Sequence, residues 1–265
     1  MASSEILVST SETTPGSSPT PGETMPATTT SPPPSPPKLP QPVFDVDTAV
    51  YAFSPNRETL GGTAYLITHK AASNDDSWQK NNILVDCPAW TDANLDFITQ
   101  QGGVRWLVIT HRGGSSRVRD WQSKFACDVV VQEQEAYLLP QVETHSFHRE
   151  LALTPHHRLL WTPGHSPGSS CLHSSAKGGI LFTGRHILPT RQGGAAPLRV
   201  SKTFHWPRQL RHIQRLLDEF TPQTLGYICP GANTGFLRGK RSVEQAYDTL
   251  AKLDLQELSK SQALL

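Results

Sequence analysis

Five short apolar runs each give way to a turn built from Gly, Pro or a lone polar residue: Leu84-Val85-Asp86-Cys87, Ile109-Thr110-His111, Thr162-Pro163-Gly164-His165-Ser166-Pro167-Gly168, Leu181-Phe182-Thr183-Gly184 and Ile228-Cys229-Pro230-Gly231. Turns at strand ends are where scaffolds commonly mount chemistry. Two of these carry an imidazole, His111 and His165, and one a carboxylate, Asp86. A stable zinc site takes three or four N, S or carboxylate ligands at about 2.0–2.3 Å, so two imidazoles alone hold a metal weakly. A borrowed ligand such as His186 or His173 would allow one ion at most. Without it, His111 and His165 are expected to brace their loops by hydrogen bonds to backbone or to Asp86.

Arg112, Arg117 and Arg185 stand next to these turns. A guanidinium is always charged and grips phosphate or carboxylate with two parallel hydrogen bonds. Three of them around one cleft would accept a small anion; the alternative is that each pairs with a local Asp or Glu or points to water. Ser115 and Ser116 follow His111 as a nucleophile follows a base, but no Gly-x-Ser-x-Gly elbow frames them. His145-x-x-His148 and His156-His157 lie in turn-like surroundings without a third ligand and read as surface histidines. No glycine-rich phosphate loop follows a strand, which leaves nucleoside triphosphatases and dinucleotide enzymes without support. Cys87, Cys127, Cys171 and Cys229 form no Cys-x-x-Cys pair and read as buried free thiols.

The elements that must hold these turns follow from hydrophobic spacing. The runs 63–68 and 82–86 predict a hairpin across the polar stretch 73–80. A helix near 91–101 closes on Gly102-Gly103, the strand Trp106-Leu107-Val108-Ile109 follows, and a helix over 115–125 leads to the strand Asp128-Val129-Val130-Val131. Strands recur around Leu151, Leu159, Ser170 and 180–182. Pro207 opens a helix with Leu210, Ile213, Leu217 and Phe220 on one face; 225–229 is a strand and 243–258 a last amphipathic helix. Two sheets covered by outer helices satisfy every apolar face. The six tryptophans are dispersed and read as core filling.

The order of the strand-end turns resembles the metallo-β-lactamase superfamily over about residues 43–265, and Thr-Pro-Gly-His-Ser-Pro-Gly is its most specific piece. The resemblance implies an α+β, four-layer αββα sandwich with a metal cleft along one sheet edge. It also implies a ligand set, opened by a His-x-His-x-Asp-His run that binds two zinc or iron ions with help from later turns. His111 stands at the first position of that run, but Gly113, Ser115 and Ser116 stand at the next three. His165 is kept. Arg185 replaces the bridging Asp after Gly184, and Ala232 the last His after Pro230-Gly231, so five of the seven ligand positions are lost. Asp86, the structural Asp of the family's first motif, is retained. A fixed positive charge at a bridging position opposes a divalent cation more strongly than an alanine would.

The function implied is that of a degenerate family member, a binding or regulatory protein without catalytic residues or a cofactor, whose cleft accepts an anion on Arg112, Arg117 and Arg185. The alternative is a divergent hydrolase with one residual zinc or iron ion on His111 and His165. The chain has 265 residues and a net charge of only +1, from 24 Lys plus Arg against 23 Asp plus Glu, which excludes a polybasic nucleic-acid or lipid binder. Residues 1–41 are rich in Pro, Ser and Thr and read as a disordered tail, with residues 42–265 as the folded domain. No apolar run approaches the roughly 20 residues that span a bilayer, and the start of the chain lacks the pattern of a secretion signal, so the expected location is cytoplasmic. Arg208, Arg211 and Arg215 recur at helical spacing, as a solvated helix face does; the alternative reading is a surface for a protein partner or other acidic surface, nucleic acid included.

Overall fold

The structure is a computed structural model that describes residues 38–44, 50–69 and 81–264. The expected tail 1–41 lies outside the described residues except at 38–41, as do the polar stretch 73–80 and Trp78.

Seven strands pair in chain order into the first sheet: β1 (Gln41–Pro42), β2 (Val50–Ala52), β3 (Tyr65–Ile67), β4 (Ile83–Val85), β5 (Trp106–Ile109), β6 (Asp128–Gln132) and β7 (Thr144–Phe147). The pairs up to β3–β4 are antiparallel, including the expected hairpin. From β4 onward the strands are parallel, because each crossover carries a helix that returns the chain to the same edge. These helices are α1 (Asp92–Gln100), α2 (Val118–Phe125) and α3 (Glu133–Ala136). The second sheet uses β8 (Glu150–Thr154), β9 (His157–Trp161), β10 (Ser170–Ser174) and β11 (Ile180–Gly184). After a small ribbon of β12 (Leu188–Pro189) and β13 (Ala195–Ala196) and the long helix α4 (Trp206–Glu219), β14 (Tyr227–Pro230) joins β11 in parallel and β15 (Val243–Glu244) closes the edge. Helices α5 (Ala246–Ala251) and α6 (Leu255–Ser259) complete the described chain.

Strand alternation sorts the apolar residues into three layers. On β4 and β5, Ile83, Val85 and Val108 face the second sheet and meet Leu159, Leu172 and Phe182, while Leu84, Leu107 and Ile109 face α1 and α2 with Trp121. The outer face of the second sheet, Leu160, Cys171, Leu181 and Ile228, packs on Ile213, Leu216 and Leu250 of α4 and α5. Helix, sheet, sheet, helix is the expected αββα sandwich. No helix among the described residues is long and apolar enough to cross a membrane.

Three local expectations are corrected. The amphipathic stretch 243–258 is not one helix: Val243 pairs with Ile228 as a sheet edge, Gln245 takes a left-handed φ of 51°, and the Asp254 carboxylate caps α6 by accepting from Glu257 N at 2.8 Å. The helix expected from 115 begins only at Val118, because Arg112–Gly114 makes a 3₁₀ turn whose Gly114 carbonyl accepts from Cys87 N. On α4 the fully buried leucine is Leu216, with Leu217 at the margin of the core.

Candidate functional site

The strand-end turns converge on one edge of the sandwich. Asp86 leaves β4 at a left-handed φ of 58° while its N–H donates to Val108 O, which turns the carboxylate back under the end of β5. There Oδ1 accepts from Thr110 N at 2.8 Å and Oδ2 from the Thr110 hydroxyl at 2.6 Å. The hydroxyl lies 2.9 Å from His111 Nδ1, so His111 reaches Asp86 through Thr110 and not directly; Nδ1 and Oδ2 are 3.7 Å apart. Gly114 fits beneath this group because a β-carbon there would stand 2.3 Å from Asp86 Oδ1.

His165 is carried by the 162–168 turn between β9 and β10. The turn is pinned by Thr162 N to Ser169 O, by Phe204 N to His165 O and by His205 N to Gly164 O. Gly164 has a φ of 149° and lies so close to α4 that a β-carbon would stand 2.3 Å from Cβ of Gln209. The His111 and His165 rings meet edge to face with centroids 5.6 Å apart. Beneath the turn, the buried Glu135 of α3 accepts from Gly168 N at 3.1 Å.

His111, His165, Arg112, Gly113 and Arg185 line a cavity of about 550 Å³, joined by Lys202 from the segment before α4. Arg185 donates from Nη2 to Thr59 O at 3.0 Å and Leu60 O at 2.8 Å, while its buried Nε has no partner among the described residues. Among the described residues the Arg112 guanidinium donates to Lys202 O alone, at 3.4 Å. Neither arginine nor Lys202 makes an ion pair among the described residues. Arg117 is a correction: its Nε donates to Asp120 at 2.8 Å and its guanidinium lies over the Trp90 ring, so a local partner holds it away from the cavity. The two serines turn elsewhere, Ser115 to Arg112 O and Ser116 to Glu58, so neither is bonded to His111.

Burial dominates the electrostatics. It raises Asp86 to about 6 against the opposing bonds from Thr110 and the attraction of Arg185. It holds His111 well below the usual imidazole range, helped by His165, Arg185 and Arg112, and lowers His165 to about 4, helped by Arg185 and Arg112. Both imidazoles are neutral at neutral pH.

The residues do not fit the two-metal centre that the family resemblance implies. Two imidazoles face the cavity, a guanidinium stands at the bridging position, and Gly113, Ser115, Ser116 and Ala232 offer no histidine or carboxylate. Among the described residues no three His, Cys, Asp or Glu are grouped so as to hold a metal ion.

The other sequence candidates are dispersed. His145 and His148 are exposed, as expected, but His157 is buried, with its ring 5.3 Å from that of His69 between the sheets, because position 157 shares the inward face of β9 with Leu159. Arg215 pairs with Glu219, while Arg208 and Arg211 make no ion pair among the described residues. Sequence reasoning missed Thr110, Glu135 and Lys202 as parts of the site. The one signal for Thr110 was its place between a buried strand and His111; Glu135 and Lys202 carried none.

No family model and no curated protein matches this chain. Solved structures do. An archaeal metallo-β-lactamase superfamily protein from Sulfolobus tokodaii is similar at 13% identity and a TM-score of 0.53, over 82% of this chain and 89% of that one. The BLEG-1 B3 metallo-β-lactamase is similar at 16% identity and a TM-score of 0.55, over 75% and 95%. The di-iron-bound form of TTHA1623 is similar at 15% identity and a TM-score of 0.54, over 71% and 92%. At these identities the likeness is one of fold, and the chain adopts the metallo-β-lactamase fold.

Proposed function

We propose that this protein binds a small anion in the cavity between His111, His165 and Arg185 and does not hydrolyse it. One observation carries the reading: Arg112, Arg185 and Lys202 come from three separate segments to the same cavity, and none makes a direct ion pair among the described residues, although the buried Asp86 and Glu135 attract Arg185 and Arg112 from beneath. The half-buried Arg185 and the exposed Arg112 and Lys202 gather positive charge at one cavity, which favours an anionic ligand, and guanidinium suits carboxylate or phosphate. Hydrolysis of the kind the family resemblance implies would need a metal ion to supply the attacking hydroxide. A divalent ion on His111 and His165 would share its cavity with the positive Arg185, and only two imidazoles would hold it.

The test is isothermal titration of the full chain with inorganic phosphate, nucleotides, phosphosugars and small carboxylates, alongside elemental analysis of protein purified without chelator. The expected result is measurable heat from at least one class. Arg112→Ala and Arg185→Ala should each weaken binding by about tenfold or more, as loss of a hydrogen bond from a charged donor does. Heat from none of these anions would overturn the reading. So would stoichiometric zinc or iron with turnover in a lactam, thioester or phosphodiester screen, which would make the protein a hydrolase with a residual metal site.

A further inference from the structure

The hydrogen-bond chain beneath the cavity says more about the ligand than its charge, and this step rests on the anion-binding reading. The Thr110 hydroxyl has a single proton. Asp86 accepts on both oxygens, Oδ1 from Thr110 N at 2.8 Å and Oδ2 from the Thr110 hydroxyl at 2.6 Å, so that proton is committed to Asp86. The contact of 2.9 Å with His111 Nδ1 must then run the other way, with Nδ1–H donating to Thr110 Oγ1. A neutral imidazole protonated on Nδ1 has a bare lone pair on Nε2.

That lone pair is unsatisfied. His111 is 2% exposed, and its Nε2 is buried without a hydrogen-bond partner among the described residues. A buried acceptor in this state is costly, and its partner is to be sought in a ligand or water. Nε2 lies beside Gly113, where a β-carbon would stand only 3.1 Å away, and both residues line the cavity. The cavity has donors on Arg112, Arg185 and Lys202, and the unpaired His111 Nε2 lies buried at its wall beside Gly113. A fully deprotonated oxyanion would satisfy the cations but set lone pair against lone pair at Nε2.

We infer that the ligand is a small oxyanion carrying its own O–H, with its charged oxygens on the Arg112, Arg185 and Lys202 side and its hydroxyl donating to His111 Nε2. A hydrogen phosphate and a 2-hydroxy carboxylate share this chemistry. Sulfate and a plain carboxylate lack it.

Two probe pairs separate these cases by isothermal titration at neutral pH on chelator-treated protein: inorganic phosphate against sulfate, and glycolate against acetate. Phosphate keeps an O–H at this pH and sulfate keeps none, while their size and shape are nearly equal. The O–H member of at least one pair is expected to bind roughly tenfold to hundredfold more tightly, the range set by leaving one buried acceptor unpaired. Preference in the phosphate pair alone points to a phosphate source, and in the glycolate pair alone to a hydroxy acid. In Thr110→Val the imidazole loses the acceptor that fixes its tautomer, and the preference should fall to within about threefold; Thr110→Ser should keep it. Nitrogen-15 NMR of the wild-type His111 ring gives a readout independent of how the variants fold, with the proton expected on Nδ1.

Binding of both members of each pair with equal affinity would overturn this inference and leave the anion-binding reading standing. A proton found on Nε2 would do the same. Failure of all four probes to bind would overturn this inference, and the anion-binding reading falls with it only when nucleotides and phosphosugars also give no heat.

Discussion

Gly184 is pressed against Thr110: a β-carbon at 184 would stand 2.3 Å from Thr110 Oγ1 and 3.3 Å from His111 Nδ1. The end of β11 thus closes over the hydroxyl that joins Asp86 to His111, and its φ of 49° is one that L side chains rarely adopt. Gly184→Ala is expected to cost roughly 2–5 kcal/mol, combining left-handed backbone strain with overpacking of a buried polar group. Gly61→Ala, also at positive φ but with nothing within 4 Å, should cost only about 1–2 kcal/mol. Urea unfolding of the two variants compares them directly; equal losses would contradict the close packing at 184.

Glu135 supports the turn that carries His165 from below. Its Oε1 accepts from Gly168 N, and a β-carbon at Gly168 would stand 2.7 Å from its Cγ. Burial raises this carboxyl above the usual range, so a neutral amide of the same shape suits the site nearly as well. Glu135→Gln should therefore change stability by less than about 1 kcal/mol, whereas Glu135→Ala, which removes the acceptor and opens space, should cost about 2 kcal/mol or more. Anion affinity should follow the same order if the turn depends on this contact.

Acid should destabilise the protein well before carboxylates normally act. Burial lowers His157 to about 3, with His69 and His156 adding to it, and lowers His186 to about 3, with His212 and His165 adding. The unfolded chain binds a proton at each near pH 6.5, but the fold does not, so stability is complete above that pH and falls as pH drops toward 3. Each contributes a slope of about 1.4 kcal/mol per pH unit within that window. Asp86 acts in the opposite sense: raised to about 6, it favours the fold as pH falls from 6 to about 4, and offsets one histidine. The urea midpoint should fall from pH 6.5 to 4.5, and His186→Leu should flatten the profile by about one proton. A flat wild-type profile would refute this.

The four thiols should be inert in the native state. All four cysteines are free and buried, and burial pushes Cys171 up to about 12 and Cys127 to about 11, so thiolate is scarce at neutral pH. An aromatic disulfide reagent should report almost no reactive thiol in the folded protein and four after denaturation.

Much of this architecture was legible in the residues because strand alternation and apolar spacing are local properties. The runs around Leu84, Val108, Val130 and Phe182 marked strands buried on both faces, and the Gly and Pro turns after them marked the edge where the site forms. The absence of ligand-type side chains at positions 113, 115, 116, 185 and 232 was likewise readable from residue type alone. The break of 243–258 into strand and two helices was not, because the pairing of Val243 with Ile228 overrides a spacing that suits a helix equally well.

Residue types determined that this sandwich carries two imidazoles and several guanidinium groups where a metal centre would need anionic and imidazole ligands. Only the tertiary structure decided which cations meet. Arg112 and Lys202, far apart in the chain, line the same cavity, while Arg117, five residues from Arg112, is drawn to Asp120 and Trp90. The direction of the His111 lone pair also belongs to the fold, since it depends on one threonine hydroxyl held between Asp86 and the ring. Spacing along a chain constrains neighbours within a turn or two, whereas the meeting of side chains from separate strands depends on how whole sheets and helices pack.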